Sequence, residues 1–388
     1  MSVIVKGGGG GKSSGLYVWK KYEFIPPHLS FIGNEDFTLK TANTTKNWNG
    51  TIEYSTDTKT WNTWNGTEIS SAGSKLYLRG TGNTKITGNS SNYKFVFTGT
   101  NALKIACKGN IENLLDYETV SAGGHPTMAR YCYASMFRGC TSLTSAPELP
   151  ATTLAMYCYG YMFNGCTSLT IAPELPATTL ADSCYYAMFL GCTSLTTVPK
   201  LPATTLANDC YAYMFNGCTS LTSAPELPAT TLANSCYESM FQDCTSLTTV
   251  PELPATTLTD GCYMYMFNHC TALTTPPSVL PATTLTMNCY RFMFEFTAID
   301  AIPRIMATTY ATDSCKGMFD DIKTLNVYST SGTEHTYGWT APSSASTYCS
   351  VMFGSDDGES EWAKLDGSNF PNSGTPTDGT TYYFKTVV

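Results

Sequence analysis

From Cys132 onward the apolar positions recur in one fixed order every 26 residues, Cys-Tyr-x-x-Met-Phe-x-Gly-Cys-Thr-Ser-Leu-Thr-x-x-Pro-Glu-Leu-Pro-Ala-Thr-Thr-Leu-x-x-x. Copies start at Cys132, Cys158, Cys184, Cys210, Cys236, Cys262 and Cys289. A strict period of roughly 20 to 50 residues signals a stack of small units, each burying its apolar face against its neighbours. Within one copy, Cys158, Met162 and Cys166 fall at i, i+4 and i+8 with Tyr159 and Phe163 beside them, which predicts a short helix. Asp182, Asn208, Asn234 and Asp260 stand where side chains would cap such helices, and Gly139, Gly165, Gly191 and Gly217 where they would stop. The following Thr-Ser-Leu-Thr segment predicts a strand with Leu169, Ala172, Leu175 and Leu180 facing inward. Pro173 and Pro176 lack a ladder donor and limit that strand to about three or four residues.

Regularity decays toward the C-terminus. The copy at Cys262 carries an extra residue near Pro276–Val279, and the next reads Glu295-Phe296-Thr297 where the second cysteine belongs. Met318-Phe319 and Met352-Phe353 anchor two weaker copies, which put Ser314 and Tyr348 in the first-cysteine slot and enclose an insertion at 329–346. Atypical end units suit a stack, because its last layer has no neighbour.

Residues 24 to about 105 alternate in short runs broken by Gly, Asn and Asp, among them Thr51–Tyr54, Lys75–Arg79 and Lys94–Phe97, which predicts a small β-sandwich. The segment Tyr54-Ser-Thr-Asp-Thr-Lys-Thr-Trp61 predicts a hairpin. It resembles the Asp-box of glycan-processing propellers but has Lys59 in place of that motif's glycine, and reads as a structural turn. Gly7–Ser13 lacks the first glycine of a phosphate loop, Lys6 standing there, and reads as a flexible tether. The domain division that follows is 1–23 Gly-rich attachment segment, 24–120 β-sandwich, 121–354 repeat and 355–388 C-terminal cap. The fold class is thus a mixed α/β repeat preceded by an all-β domain.

Composition narrows the chemistry. A net charge of −8 argues against a nucleic-acid surface, which needs clustered Lys and Arg. Charged residues make up 13%, about half the usual quarter, as in extracellular and virion surface proteins. No apolar run is long enough to span a bilayer and no secretory signal is visible, so a soluble chain is expected. Twelve of the 16 cysteines follow the repeat as six C-x7-C pairs, with Cys107, Cys289, Cys315 and Cys349 outside that pattern, and they read as buried free thiols acting as small hydrophobes. Disulfides between equivalent cysteines of adjacent layers are the alternative. His28, His125, His269 and His335 lack metal-ligand spacing, so no metal or cofactor is expected. The row Glu148, Glu174, Lys200, Glu226 and Glu252 reads as a solvated face, and Trp48, Trp61 and Trp64 as packing residues or, failing that, sugar-stacking ones. No nucleophile, base and acid come together, so the chain is not expected to be an enzyme.

A tyrosine follows the first cysteine in every clear copy. Stacking turns Tyr133, Tyr159, Tyr185, Tyr211, Tyr237 and Tyr263 into a stripe, either partly buried with wet hydroxyls or a surface for glycan or protein ligands. The third, fourth and seventh places vary between copies, as at Tyr161, Tyr186, Tyr213, Tyr265, Arg138, Asn164 and Arg291, and would form a tunable face. These ten tyrosines are the candidate ligand-binding residues.

The run Met162–Pro173, Met-Phe-x-Gly-Cys-Thr-Ser-Leu-Thr-x-x-Pro, resembles the bacterial leucine-rich repeats of the BspA type over about residues 128–354. Its longer period, its Met before the Phe and its Pro-Glu-Leu-Pro segment depart from that family. The resemblance implies a leucine-rich-repeat solenoid and adhesion, with binding to host or neighbouring surfaces and no catalysis. Gly15–Glu23 resembles segments of phage tail-associated proteins, which implies a virion protein contacting a bacterial surface glycan or protein, with residues 1–23 meeting other virion proteins. The alternatives are a secreted adhesin binding host matrix and a structural fibre subunit, with homo-oligomers in view.

Overall fold

The computed structural model describes residues 27–88, 93–299, 303–307 and 309–318, together with the backbone of strands at 324–328, 334–338, 350–354, 363–364 and 383–387. The Gly-rich segment 1–23 and most of 355–388 lie outside these residues.

The N-terminal module packs two sheets face to face. β1 (Leu29–Gly33), β2 (Thr38–Thr41), β3 (Thr51–Ser55), β4 (Asn62–Trp64), β5 (Ile69–Ser70), β6 (Lys75–Thr81), β7 (Phe95–Thr98) and β8 (Ile105–Lys108) sort into a sheet ordered β4-β3-β6-β1-β8 and a smaller one ordered β5-β2-β7. Pairing inside both is antiparallel. Phe31 of the first sheet meets Phe97 of the second at 5.2 Å, and Trp64 meets Phe95 at 5.5 Å. The expected hairpin joins β3 to β4. In its turn Asp57 Oδ1 accepts the Lys59 and Thr60 backbone N–H groups, both at 2.8 Å, and these bonds lower the Asp57 pKa. The Asp57 carboxylate therefore builds the turn. Helix α1 (Asn113–Ser121), interrupted at Asp116 (φ −156°, ψ 98°), lies on β6 so closely that a methyl group at Gly80 would collide with the Leu114 carbonyl.

The module ends in the repeat without a break. β9 (Leu143–Ser145), inside the first copy, pairs in parallel with β8 and becomes the sixth strand of the larger sheet. The first coil's carbonyls are covered as if by a preceding coil: Cys132 O accepts from Ile86 N at 2.8 Å and Met136 O from Phe95 N at 2.7 Å.

From there the chain stacks coil on coil, and the local structure differs from the expected helix. In the second coil Cys158, Gly160, Met162, Asn164 and Cys166 each donate N–H to the carbonyl three residues back. The intervening Tyr157, Tyr159, Tyr161, Phe163 and Gly165 donate instead to Asp182, Cys184, Tyr186, Met188 and Leu190 of the next coil, at 2.8 to 3.0 Å. Every fourth residue is left-handed, here Tyr157 (φ 58°), Tyr161 (φ 57°) and Gly165 (φ 72°), as the third residue of a type II turn requires. A helix would spend every N–H inside its own coil. The turn ribbon satisfies half locally and gives half to its neighbour, which is how a one-dimensional stack acquires cohesion.

Two further expectations are corrected. Asp182 and Asn208 cap no helix; their Oδ1 atoms accept N–H of Asn208 and Asn234 in the next coil, at 3.1 and 3.2 Å, and Asp260 does the same for Met287 at 3.1 Å. The predicted strands shrink after β9 to single parallel bridges, Ile171 to Thr197, Ser223 to Thr249 and Thr249 to Thr275, because prolines interrupt the donors in every layer. Short parallel pairs return where the extra residue enters, between β10 (Val279–Leu280) and β12 (Arg304–Ile305), and between β11 (Thr284–Leu285) and β13 (Thr309–Tyr310). The copy anchored on Met318 stacks, with Ser314 O accepting Tyr290 N at 2.7 Å. The one anchored on Met352-Phe353 does not: Ser350–Gly354 is the middle strand of an antiparallel three-stranded sheet.

Inside the stack, equivalent side chains form columns. Phe137, Phe163, Phe189, Phe215, Phe241, Phe267 and Phe294 follow one another at 5.5 to 5.7 Å with ring planes within 12°. Each such offset pair contributes about 0.5–1.5 kcal/mol beyond its buried area. Phe95 of the module extends this column by an edge contact with Phe137 at 5.8 Å, so module and stack share one hydrophobic core.

Candidate recognition surface on the coil stack

The candidate tyrosines divide into two groups. Tyr133, Tyr159, Tyr185, Tyr211, Tyr237 and Tyr263, continued by Tyr290, are at most 1% exposed and stack at 5.6 to 5.8 Å in a second interior column. Their rings are core, and a ligand at the surface cannot touch them. Burial pushes their phenols well above the ordinary value. Tyr133 donates to Ile111 O at 3.3 Å, whereas the Tyr159 hydroxyl is buried without a partner.

The other four, Tyr161, Tyr186, Tyr213 and Tyr265, are half-buried at the surface. Three of them join with Tyr131 and Tyr157 in a continuous ridge across four coils. Tyr131 meets Tyr157 at 5.0 Å, Tyr157 meets Tyr186 at 5.7 Å, Tyr161 meets Tyr186 at 5.4 Å and Tyr186 meets Tyr213 at 5.5 Å. Tyr131 and Tyr157 precede the first cysteine, a position the reading of variable places passes over. Their signal lies in the repeat itself, since the same slot elsewhere holds Ser183, Asp209, Ser235 and Gly261.

The backbone under this ridge is costly. Tyr131, Tyr157, Tyr161 and Tyr213 all sit at φ of 57° to 58°, a conformation that disfavours bulky side chains by about 1–2 kcal/mol each. Other coils place Ser135, Ala187 and Ser239 in the slot of Tyr161 and Tyr213, so folding does not demand rings there. Strain retained where a small residue suffices points to use.

Charge flanks the ridge asymmetrically. At the first coils the guanidinium groups of Arg130 and Arg138 lie 5.5 Å and 5.2 Å from the rings of Tyr131 and Tyr161. At the other end Tyr213 donates to Glu238 Oε1 at 2.7 Å, and burial, reinforced by that bond, pushes its pKa up to about 12. Burial, with Glu238 and Asp182 nearby, also raises the Asp209 carboxyl. The ridge breaks at Glu238 and Ser239, then resumes with Tyr265 on Phe292 at 5.1 Å and the exposed Phe296 against His269 at 4.4 Å.

The seventh place, expected to be tunable, braces the coils instead. Arg138 Nε donates to Asn164 Oδ1 at 3.0 Å, Asn164 Nδ2 to Leu190 O at 2.9 Å, Asn216 Nδ2 to Gln242 Oε1 at 3.2 Å and Asn268 Nδ2 to Glu295 Oε2 at 2.8 Å. Glu148, Glu174, Lys200, Glu226 and Glu252 are exposed. In the module, Trp48 and Trp64 are core, stacked at 5.1 Å, and Trp61 lies 4.1 Å beneath the Arg79 guanidinium.

Two clefts flank the junction of module and stack. One of about 380 Å³ holds the buried Glu112 carboxylate 2.8 Å from His125 Nδ1. The other, about 430 Å³, is lined by hydroxyls and by Lys104, whose ammonium donates to Ser168 at 2.7 Å. Among the described residues no three His, Cys, Asp or Glu side chains converge on a metal position, and no helix is long and apolar enough to cross a membrane. Among the described residues fourteen cysteines are free and buried, with thiols raised by desolvation, to about 12 at Cys184 and Cys192, so none of these is an activated nucleophile. Cys315 is disulfide-bonded.

No curated protein and no solved structure matches the chain. The coils do have counterparts: residues 130–302 match the BspA type leucine rich repeat region, in 6 copies.

Proposed function

We propose that the chain is a non-enzymatic adhesion protein whose coils, a leucine-rich-repeat solenoid of 26-residue units, bind a glycan or protein on a bacterial surface. The observation that carries this reading is the ridge of Tyr131, Tyr157, Tyr161, Tyr186 and Tyr213, most of it built on left-handed backbone. Half-buried tyrosines offer rigid apolar faces with polar rims at little entropic cost, the composition of recognition surfaces. The match of residues 130–302 supports it, since BspA-type repeats are associated with surfaces and adhesion. In this reading residues 24–120 cap residues 121–354, residues 1–23 attach the chain to a virion or tail, and the protein acts outside the cell.

The test is binding of the full chain to bacterial cells and to glycan and matrix-protein arrays, beside a variant carrying Tyr161→Ala, Tyr186→Ala and Tyr213→Ala. The variant should lose at least about tenfold in affinity, as truncation of central aromatic anchors does. Equal binding would move the site off the ridge, and no binding by the parent chain would end the adhesion reading.

A further inference from the structure

We infer that this chain reaches its folded state only while the coil cysteines from Cys132 to Cys289 are reduced, so that it leaves a reducing compartment already folded. The second cysteine of each coil donates its S–H to the phenylalanine carbonyl of the coil before. Cys166 reaches Phe137 O at 3.0 Å, Cys192 Phe163 O at 3.1 Å, Cys218 Phe189 O at 3.3 Å, Cys244 Phe215 O at 3.1 Å and Cys270 Phe241 O at 3.0 Å. The series begins in the module, where Cys140 reaches Phe95 O at 3.3 Å. A disulfide sulfur carries no hydrogen and cannot make this contact. One such contact is weak, but the ladder repeats it at successive interfaces through the middle of the core. The thiol is thus a structural donor, and oxidation removes a piece of every interface it reaches.

The unfolded chain is exposed to that oxidation. Twelve of its cysteines recur as C-x7-C pairs with closely similar surroundings, so short loops close easily and little in the local sequence distinguishes one partner from another. In contact with an oxidised small-molecule disulfide such as glutathione disulfide, a chain thiolate attacks one sulfur and expels a glutathione thiolate. A second chain thiolate then displaces the remaining glutathione from the mixed disulfide. Two chain thiols give up two protons to solvent and two electrons to the glutathione disulfide, leaving one intrachain bridge. The folded stack closes this route, because the fourteen free cysteines are all buried and desolvation holds their thiols protonated. Cys315, which is disulfide-bonded, lies beyond the last of these donors. The inference is independent of what the tyrosine ridge binds.

The test dilutes the denatured, reduced full chain into buffer containing either reduced or oxidised glutathione. Recovery of folded monomer, read by near-ultraviolet circular dichroism and gel filtration, should be at least about tenfold lower in the oxidised buffer. The monomer recovered under reducing conditions should show sixteen reactive thiols once unfolded, and none at the fourteen buried free cysteines before. Equal recovery with bridges among the coil cysteines would overturn the inference, as would native protein whose coil thiols oxidise as fast as those of the unfolded chain. If dilution recovers nothing in either buffer, production in the reducing cytosol or the oxidising periplasm of one bacterial host reads the same contrast. Comparable folded yield from both would overturn it.

Discussion

The N-terminal module and the coil stack share a core yet solve the backbone hydrogen-bond problem in opposite ways. In the module, antiparallel neighbours exchange N–H and C=O groups across β1, β3 and β6 as the chain turns back on itself, and the β8 edge alone takes a strand from the first coil. In the stack, each coil satisfies half its donors and leaves the other half for the next layer. The module therefore has an inside fixed by topology. The stack has only neighbours, and its first layer needs the module's Ile86 and Phe95 as substitutes for a missing coil. Stability should be pooled in one region and distributed over interfaces in the other.

The largest test of that contrast is alkaline. The coil thiols are raised by burial, from 9.0 to about 12 at Cys184, Cys192, Cys236 and Cys244, and Cys158 and Cys210 are likewise raised. The folded state then holds its protons while the unfolded chain releases them. Their contribution is intact below pH 9.0 and is lost as pH climbs toward the folded value, by about 1.4 kcal/mol per thiol and pH unit. The module holds Cys107, whereas every coil from Cys132 to Cys262 holds two cysteines. Unfolding followed from pH 7 to 11 under reducing, oxygen-free conditions should weaken the stack far more than the module, with Trp48 and Trp64 fluorescence reporting the module. Equal weakening of both would break the comparison.

Phe189→Ala, which opens the phenylalanine column in mid-stack, should cost about 3–5 kcal/mol and separate two denaturation transitions. Phe95→Ala, at the junction, should cost as much but destabilise both regions together. One transition for Phe189→Ala and an effect of Phe95→Ala confined to the module would show that the column carries no cohesion. Glycine substitutions sharpen the point at lower energy. Gly80→Ala should cost about 1–3 kcal/mol through collision with the Leu114 carbonyl. Gly191→Ala, at φ 71° but with room beside it, should cost only about 1 kcal/mol, since Asp243 and His269 occupy the same slot in later coils. A reversed order in thermal unfolding would contradict this. The smallest effect is at the thiol donor: Cys192→Ala should be less stable than Cys192→Ser by about 0.5–1 kcal/mol, because serine keeps a donor facing Phe163 O.

Much of this is legible in the sequence. The repeat locates the interior, and Leu169, Leu175, Met162 and Phe163 are buried where its apolar positions put them. The β3–β4 hairpin and strands β6 and β7 follow from alternation and turn residues. What escaped was conformation at equal spacing. Over the nine residues from Cys158 to Cys166, a four-residue turn ribbon and a 3.6-residue helix place the same side chains on one face, and hydrophobic period cannot separate them. The distinguishing clue is that the places just before the two cysteines of a coil hold Ser, Asp or Gly in several copies, as at Ser183 and Gly191 or Asp209 and Gly217, where a left-handed backbone is needed. The sequence leaves the tyrosine stripe open between core and surface for a related reason. Constancy from Tyr133 to Tyr263 reflects a column that must stack, whereas the ridge lies where copies disagree.

The direction of the inter-coil bonds also gives the molecule a mechanics. Tyr157, Tyr159, Tyr161, Phe163 and Gly165 point their N–H groups along the stack axis, so tension applied through the two chain ends peels an end coil bond by bond and leaves deeper coils unloaded. Each 26-residue coil that yields should free roughly 90 Å of chain. Stretching single molecules should give a series of small, evenly spaced force drops, and one large rupture would exclude such peeling. A stack of this design lengthens under load in equal steps, dissipating work at every layer.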